Sequence, residues 1–233
     1  MPKLKSAIIW TGSSPKNGAH TVAIISGMDG KSDNDKTGGM AQVDILLGNV
    51  HPVEARKIGA DTAICGDCPL KTKVCYVNVG FGPSAKYRAL QRGSYAVISP
   101  REANAILKAN GVGVRLGSYG DPAMVPTNVW LDLVDGIEHT GYTHQWREDW
   151  FDAGLLDIVM ASIDEVNTRE DAKTMHPGVR TYRMAKDYSE LDSNEIKCPS
   201  KAPDGTRRVQ CADCGLCAGK SRKAKDIVIV END

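Results

Sequence analysis

Apolar residues in the first part of the chain come in short runs at 6–10, 21–26 and 42–47, separated by clusters of Gly, Ser, Asn and Asp. Their length and their β-branched content predict three strands. Between the last two runs, residues 29–39 are so polar and glycine-rich that a mobile, unpacked loop is expected. Its lysines and hydroxyls match no phosphate-binding spacing.

From residue 60 the rhythm changes to strand, loop and helix, with a strand expected just before Cys65 and a helix over 83–92. Ser99-Pro-Arg-Glu102 carries a capping-box signature, so a helix runs from there to about 109, stopped by Gly111. Further strands are expected at 112–116, 139–144, 156–163, 179–184 and 226–230, and further helices at 127–135, 145–151 and 168–175. Strands alternating with helices of this length mark right-handed βαβ units. The expected fold class is therefore α/β, a partial or complete parallel β/α barrel with a cysteine-rich C-terminal segment. Its parts are a β-rich lead-in (1–58), the barrel-like domain (59–190) and the segment 191–233. Folds of this class place their chemistry on loops at the carboxyl ends of the strands.

With 233 residues, 41% of them hydrophobic, the chain can build a substantial core. No apolar run is long enough for a transmembrane helix, and the start, Met-Pro-Lys-Leu-Lys, lacks a signal peptide's apolar stretch. A cytoplasmic protein without membrane contact is expected. Basic and acidic residues balance at 29 each, but they are unevenly spread. Residues 197–225 hold eight basic and two acidic residues, and residues 131–171 eleven acidic and two basic. The basic tail suits either an anionic cluster or a nucleic-acid partner.

Seven cysteines fall in two groups, which in a reducing compartment points to metal ligation rather than disulfides. Cys211, Cys214 and Cys217 form a C-x2-C-x2-C run, and Cys198, followed by Pro199, supplies a fourth thiolate. That set suits a 4Fe-4S cluster, with zinc as the competing metal. Upstream, Cys65, Cys68 and Cys75 could bind a second cluster and leave one iron open. Other readings are a zinc knuckle, simple burial of some thiols, or one cluster shared by both groups.

The cysteine triad, the helix after it and the strand leading into Arg115-Leu-Gly-Ser-Tyr-Gly-Asp-Pro122 resemble the opening of a radical S-adenosylmethionine enzyme. The resemblance implies a cofactor site at Gly117, Gly120 and Asp121, with Pro122 completing the segment. Ala161-Ser-Ile-Asp164 is similar to the acid-bearing strand ends of such barrels. The spacing C-x2-C-x6-C, with Tyr76 just after the last cysteine, departs from the family's C-x3-C-x2-C, while the cofactor that the resemblance implies is S-adenosylmethionine. A likeness that spans nearly the whole chain is to small uncharacterised proteins encoded by bacteriophages and other viruses. It rests on Ile9-Trp-Thr-Gly12, Lys36-Thr-Gly38, Cys65-Gly-Asp-Cys-Pro-Leu70 with Cys75-Tyr76, and the terminal cysteine run. It implies a viral origin, metal binding and a host-cell cytoplasmic setting, but no reaction.

Candidate catalytic residues are Asp121, His144 and Asp164; His139 and Trp146 are expected beside His144 on the side of the Gly120-Asp121 loop. Arg115 could pair with a carboxylate or phosphate. The first functional expectation is a radical-SAM-like redox enzyme served by an electron donor. The alternatives are a non-catalytic iron-sulfur carrier, a redox-sensitive binder of nucleic acid or host protein, and a zinc-stabilised interaction module.

Overall fold

The apolar runs near the N-terminus become β1 (Ser6–Ser13), β2 (His20–Ser26) and β3 (Ala41–Leu47), an antiparallel meander. A computed structural model describes residues 4–32, 34–71, 75–164, 168–200 and 209–230. β2 and β3 are buried almost throughout, which is why their apolar runs are continuous rather than alternating. Next come α1 (Pro52–Ile58), α2 (Thr62–Cys65), α3 (Gly82–Gln91), β4 (Ala96–Val97), α4 (Pro100–Asn110) and β5 (Val114–Tyr119). The capping box forms as expected: Ser99 Oγ accepts from Glu102 N at 3.2 Å, and the Glu102 carboxylate accepts from Ser99 N at 2.7 Å. After α5 (Thr127–Val134) the chain makes two strands of two residues each, β6 (His139–Thr140) and β7 (Tyr142–Thr143). It ends with β8 (Met160–Ser162), α6 (Thr168–Met175), β9 (Thr181–Ala185), β10 (Glu195–Lys197), α7 (Cys211–Cys214) and β11 (Asp226–Val230).

The strands form two sheets, in the orders β4-β1-β2-β3-β5-β6 and β10-β11-β9-β8-β7. Every pairing outside the N-terminal meander is parallel, so the α/β expectation holds. Among the described residues the sheets stay open rather than closing into a barrel. The lead-in strands are hydrogen-bonded into the same sheet as β5.

Three local expectations fail, each for a tertiary reason. Cys65 closes the short helix α2 instead of following a strand. Residues 145–151 are turns rather than a helix. There the Gln145 side chain bonds the cysteine loop and the Trp146 indole donates to Ser162 O at 2.8 Å, so tertiary bonds override the helical pattern. The 29–39 loop is packed where it is described: Thr37 is fully buried, and the chain of α7 hydrogen-bonds to it.

The second sheet has two different faces. Parallel register sets Tyr142 beside Met160, Ser162 beside Tyr182 and Tyr182 beside Ile227. With period-two alternation, these side chains share one face, here called inner. Thr140 continues it onto the first sheet, where its register partner is Arg115, itself opposite Gln42. Cys198, Leu216 and Cys217 pack on this face with Met160, Ile227 and Tyr182.

The outer face buries Ala161, Ile163 and Trp146 with Ala172 of α6, next to a cluster of charges. There the Glu195 carboxylate takes two bonds from Arg183, at 2.7 and 2.9 Å, and pairs with Arg169, which also reaches Asp192 and Asp226. The three central side chains are 1–3% exposed. This network joins β9, β10, β11 and α6. Removing one partner strands buried charge, so Glu195→Ala is expected to cost about 3–5 kcal/mol, measured by chemical denaturation.

Candidate metal centre

Among its described residues the C-terminal cysteine segment has little regular structure, so side chains and neighbouring backbone must place it. Arg180 on the loop before β9 does most of this. Its guanidinium donates to the carbonyls of Leu216 (2.6 Å), Gly219 (3.3 Å), Ala224 (2.9 Å) and Lys225 (2.6 Å). Cys217 O accepts from Gly141 N between β6 and β7, and Cys198 N donates to Val228 O at 2.7 Å. α7 is anchored by Cys211 N to Lys36 O (3.0 Å) and Ala212 N to Thr37 O (3.2 Å).

These ties bring Cys198, Cys211, Cys214 and Cys217 around one pocket on the inner face, together with Lys36 and Tyr142. Burial pushes the thiols of Cys211 and Cys214 up, and that of Cys217 up to about 12, so they are protonated near neutrality. Arg115 and Lys36 work against that rise at Cys211, and Arg222 does so at Cys214. Thiols are the donors that a thiophilic metal group takes, losing their protons as they bind, and these four border one pocket with cations close by.

Cys65, Cys68 and Cys75 lie at the carboxyl ends of the parallel strands. Ile64 O accepts from Asp121 N just after β5 at 2.7 Å, and Cys65 O accepts from Gln145 Nε2 after β7 at 3.2 Å. Gln145 Oε1 accepts in turn from Asp67 N, and Arg56 donates to the Cys75 sulfur at 3.4 Å. Residues 72–74 of this loop lie outside the described set. Burial drives the Cys65 thiol far up, and the Cys68 thiol up to about 11; Asp121 and Asp164 are close enough to push Cys68 the same way.

The acid and histidine candidates meet here in part. Asp121 accepts from Ala123 N at 2.9 Å and His144 N at 2.8 Å, so its carboxylate ties the loop after β5 to the end of β7. His144 Nε2 lies 3.9 Å from Asp164 Oδ1. His139 is elsewhere: it begins β6 paired with Val114, at the amino end of the strands, and its Nδ1 faces Ile137 O. Trp146 is a core residue. Gly117 and Gly120 have backbone reasons for being glycine, with φ of 66° and 84°. A Cβ on Gly120 would come within 2.8 Å of Ile45 and 3.1 Å of Ile64 O.

Sequence reasoning missed Arg180, Lys36 and Gln145 as site-builders. Of these only Lys36 had been singled out, as part of the Lys36-Thr-Gly38 stretch in the expected whole-chain resemblance. Among the described residues, no three or more His, Cys, Asp or Glu side chains are grouped tightly enough to hold a single metal ion. No helix is long and apolar enough to cross a membrane, again among the described residues. Comparison with protein-family models, curated proteins and solved structures found no match for the chain.

Two predictions follow the geometry. Arg180→Ala should free four carbonyls at once, so amides of residues 214–225 should exchange with solvent at least tenfold faster while those of β2 do not change; hydrogen exchange reads this directly. The second concerns pH. Burial raises Asp121 from 3.8 to about 6, so between those values the folded state holds the extra proton and stability falls as pH rises. Burial lowers His144 from 6.5 to about 4, so across that window the unfolded state holds the extra proton and stability rises with pH. The slopes oppose each other between about pH 4 and 6 in the native chain. Asp121→Asn should expose the rising slope and His144→Gln the falling one, measured by denaturant midpoints from pH 4 to 7.

Proposed function

We propose that this chain is an iron-sulfur protein that holds a 4Fe-4S cluster on Cys198, Cys211, Cys214 and Cys217. The supporting observation is that four thiols, from the residue after β10, from α7 and from the loop that follows it, border one inner-face pocket with Lys36. When bound, such a cluster supplies an anionic one-electron centre. The chain's part is to hold the thiols in place through Arg180, to offset thiolate charge with Lys36 and Arg115, and to cover the site with Tyr142 and Leu216.

A second observation favours an enzyme with an open-site cluster, similar to radical S-adenosylmethionine enzymes. The triad Cys65, Cys68 and Cys75 sits with Asp121, His144 and Asp164 at the strand ends where α/β folds carry out chemistry. In that role His144, its imidazole held neutral at pH 7 by burial, is the proton acceptor, Asp164 faces it, and Asp121 positions His144 through its amide. Gly120 lets the loop approach Ile64 of α2 closely and Gly117 lets it fold back on Gly120 and Pro122, so the segment proposed for the cofactor, Gly117, Gly120 and Asp121, is fixed by close backbone packing. With only the C-terminal cluster present, the chain would be an electron carrier or redox-sensitive binder. Its likeness to phage-encoded proteins suggests the cytoplasm of an infected host as the setting.

Anaerobic counting of iron and sulfide tests these readings. About four irons per chain, lost in Cys214→Ala and kept in Cys68→Ala, support the C-terminal cluster alone. About eight, halved by Cys68→Ala, support both clusters. Zinc without sulfide overturns the proposal.

A further inference from the structure

Four arginines of the described chain are buried, and three have their charge or donors matched. Arg169 and Arg183 face carboxylates on the outer side of the second sheet, and Arg180 binds four carbonyls. Arg115 differs. It is 9% exposed, forms no ion pair within 4.0 Å among the described residues, and has a buried Nε without a hydrogen-bond partner. Its Nη2 donates to the Tyr76 hydroxyl at 2.5 Å. The guanidinium carbon lies 5.4 Å from the Tyr76 ring centre and 5.8 Å from that of Tyr142.

A buried cation whose neighbours are phenols is costly unless an anion joins it. The surroundings indicate the shape of that anion. The Tyr142 and Tyr182 rings pack 4.3 Å apart on the inner face, tilted 43° to each other, and line it with aromatic surface. Tyr76, 72% exposed, stands over the guanidinium and is held by its hydroxyl to Ser118 O. Arginine presents a planar fork that fits carboxylate and phosphate oxygens, and aromatic rings suit a flat body attached to either.

We propose that Arg115, walled by Tyr76 and Tyr142, binds the oxyanion of a small planar ligand on the inner face of the sheets, between the two cysteine groups. The ligand class is a carboxylate or phosphate carried on a ring. The site belongs to side chains of β5, β7 and the loop after Cys75, so it stands whether or not either thiol group carries a cluster.

The test is calorimetric titration of the purified full-length chain with phenyl phosphate and with benzoate, using phenol and benzamide as neutral controls. Iron and sulfide are counted on the same samples. At least one anion should bind while its neutral control does not, and the stronger anion tells phosphate from carboxylate. Arg115→Gln should weaken binding about 10- to 100-fold, the loss of hydrogen bonds to a charged group. Arg115→Lys, which keeps the charge without the fork, should fall between. Circular dichroism of both variants checks the fold, and Tyr76→Phe provides a milder change expected to weaken binding a few-fold. Absence of binding by either anion at millimolar concentration overturns the proposal. So does equal binding of the neutral controls, or unchanged binding in well-folded Arg115→Gln. Loss of iron from Arg115→Gln, with no anion bound by the native chain, would make Arg115 the countercharge of the thiolate site and overturn it too. Anion binding to a chain without iron would leave this inference standing while the iron-sulfur reading fails.

Discussion

Backbone carbonyls that leave water must find donors, and residues 216–225 have almost no helix or strand to provide them. Arg180 meets much of that need, with three nitrogens on four carbonyls, while Gly141 N serves Cys217 O and Ser221 Oγ serves Ala218 O. The rest of the C-terminal arrangement depends on this contact. It holds the loop against the inner face, which brings Cys217 beside Tyr142 and lets α7 reach back to the 34–38 turn. Arg180 precedes β9, which is locked through Arg183 and Glu195 to β10 and so to the strand that leads into Cys198. The outer-face charges and the inner-face thiols therefore share one scaffold.

The two cysteine groups occupy unlike places on that scaffold. The C-terminal four lie over the inner face, walled by Tyr142 and Leu216 and capped by the loop at Lys36, an enclosure that favours a saturated, protected centre. Of the upstream three, Cys65 closes α2 and Cys68 and Cys75 follow it, all at the strand ends next to an acid, an imidazole and a second acid from the loops after β5, β7 and β8. An enclosed four-donor site suits electron storage or structural support, and an open three-donor site suits ligand exchange. The two groups that the cysteine spacing separates are thus also separate in space, and the triad alone sits where several strand ends converge.

Much of the fold was legible because it is written in local chemistry. The apolar runs of β1 to β3, the Ser99-Glu102 box, the Gly111 stop and the final Asp226–Val230 strand each follow from a few neighbouring residues. What was illegible depends on partners distant in sequence. Residues 145–151 look helical until Gln145 is bound by the Cys65 loop and Trp146 by Ser162. The polar 29–39 loop looks unpackable until α7, far along the chain, docks on it. His139 and His144 look like neighbours on one strand end, but the chain changes sheets at Gly141, so they face different surroundings. The site residues were legible as types and spacings, whereas Arg180 and Lys36, which assemble them, carry no motif of their own.

Charge balance shows why composition misleads here. The basic residues of 197–225 suggest a counter-field for an anionic cluster, yet most of those described are engaged elsewhere. Lys220 pairs with Asp157, Lys225 bonds Ser193 O, and Lys197 lies over the Tyr188 ring. Arg222 alone of these acts on a thiol, Cys214, while reaching Glu138 as well. The cations that act on Cys211 are Lys36, from the N-terminal turn, and Arg115, from β5. Exposed lysines in water contribute little at such distances, whereas a guanidinium buried beside the site is barely screened. Any anion that settles on the inner face, whether a set of thiolates or a ligand's carboxylate, therefore meets a positive field made by the fold, not by its own segment. The first sheet is thus more than a support for the cysteine tail: through Arg115 it places a buried cation on the inner face.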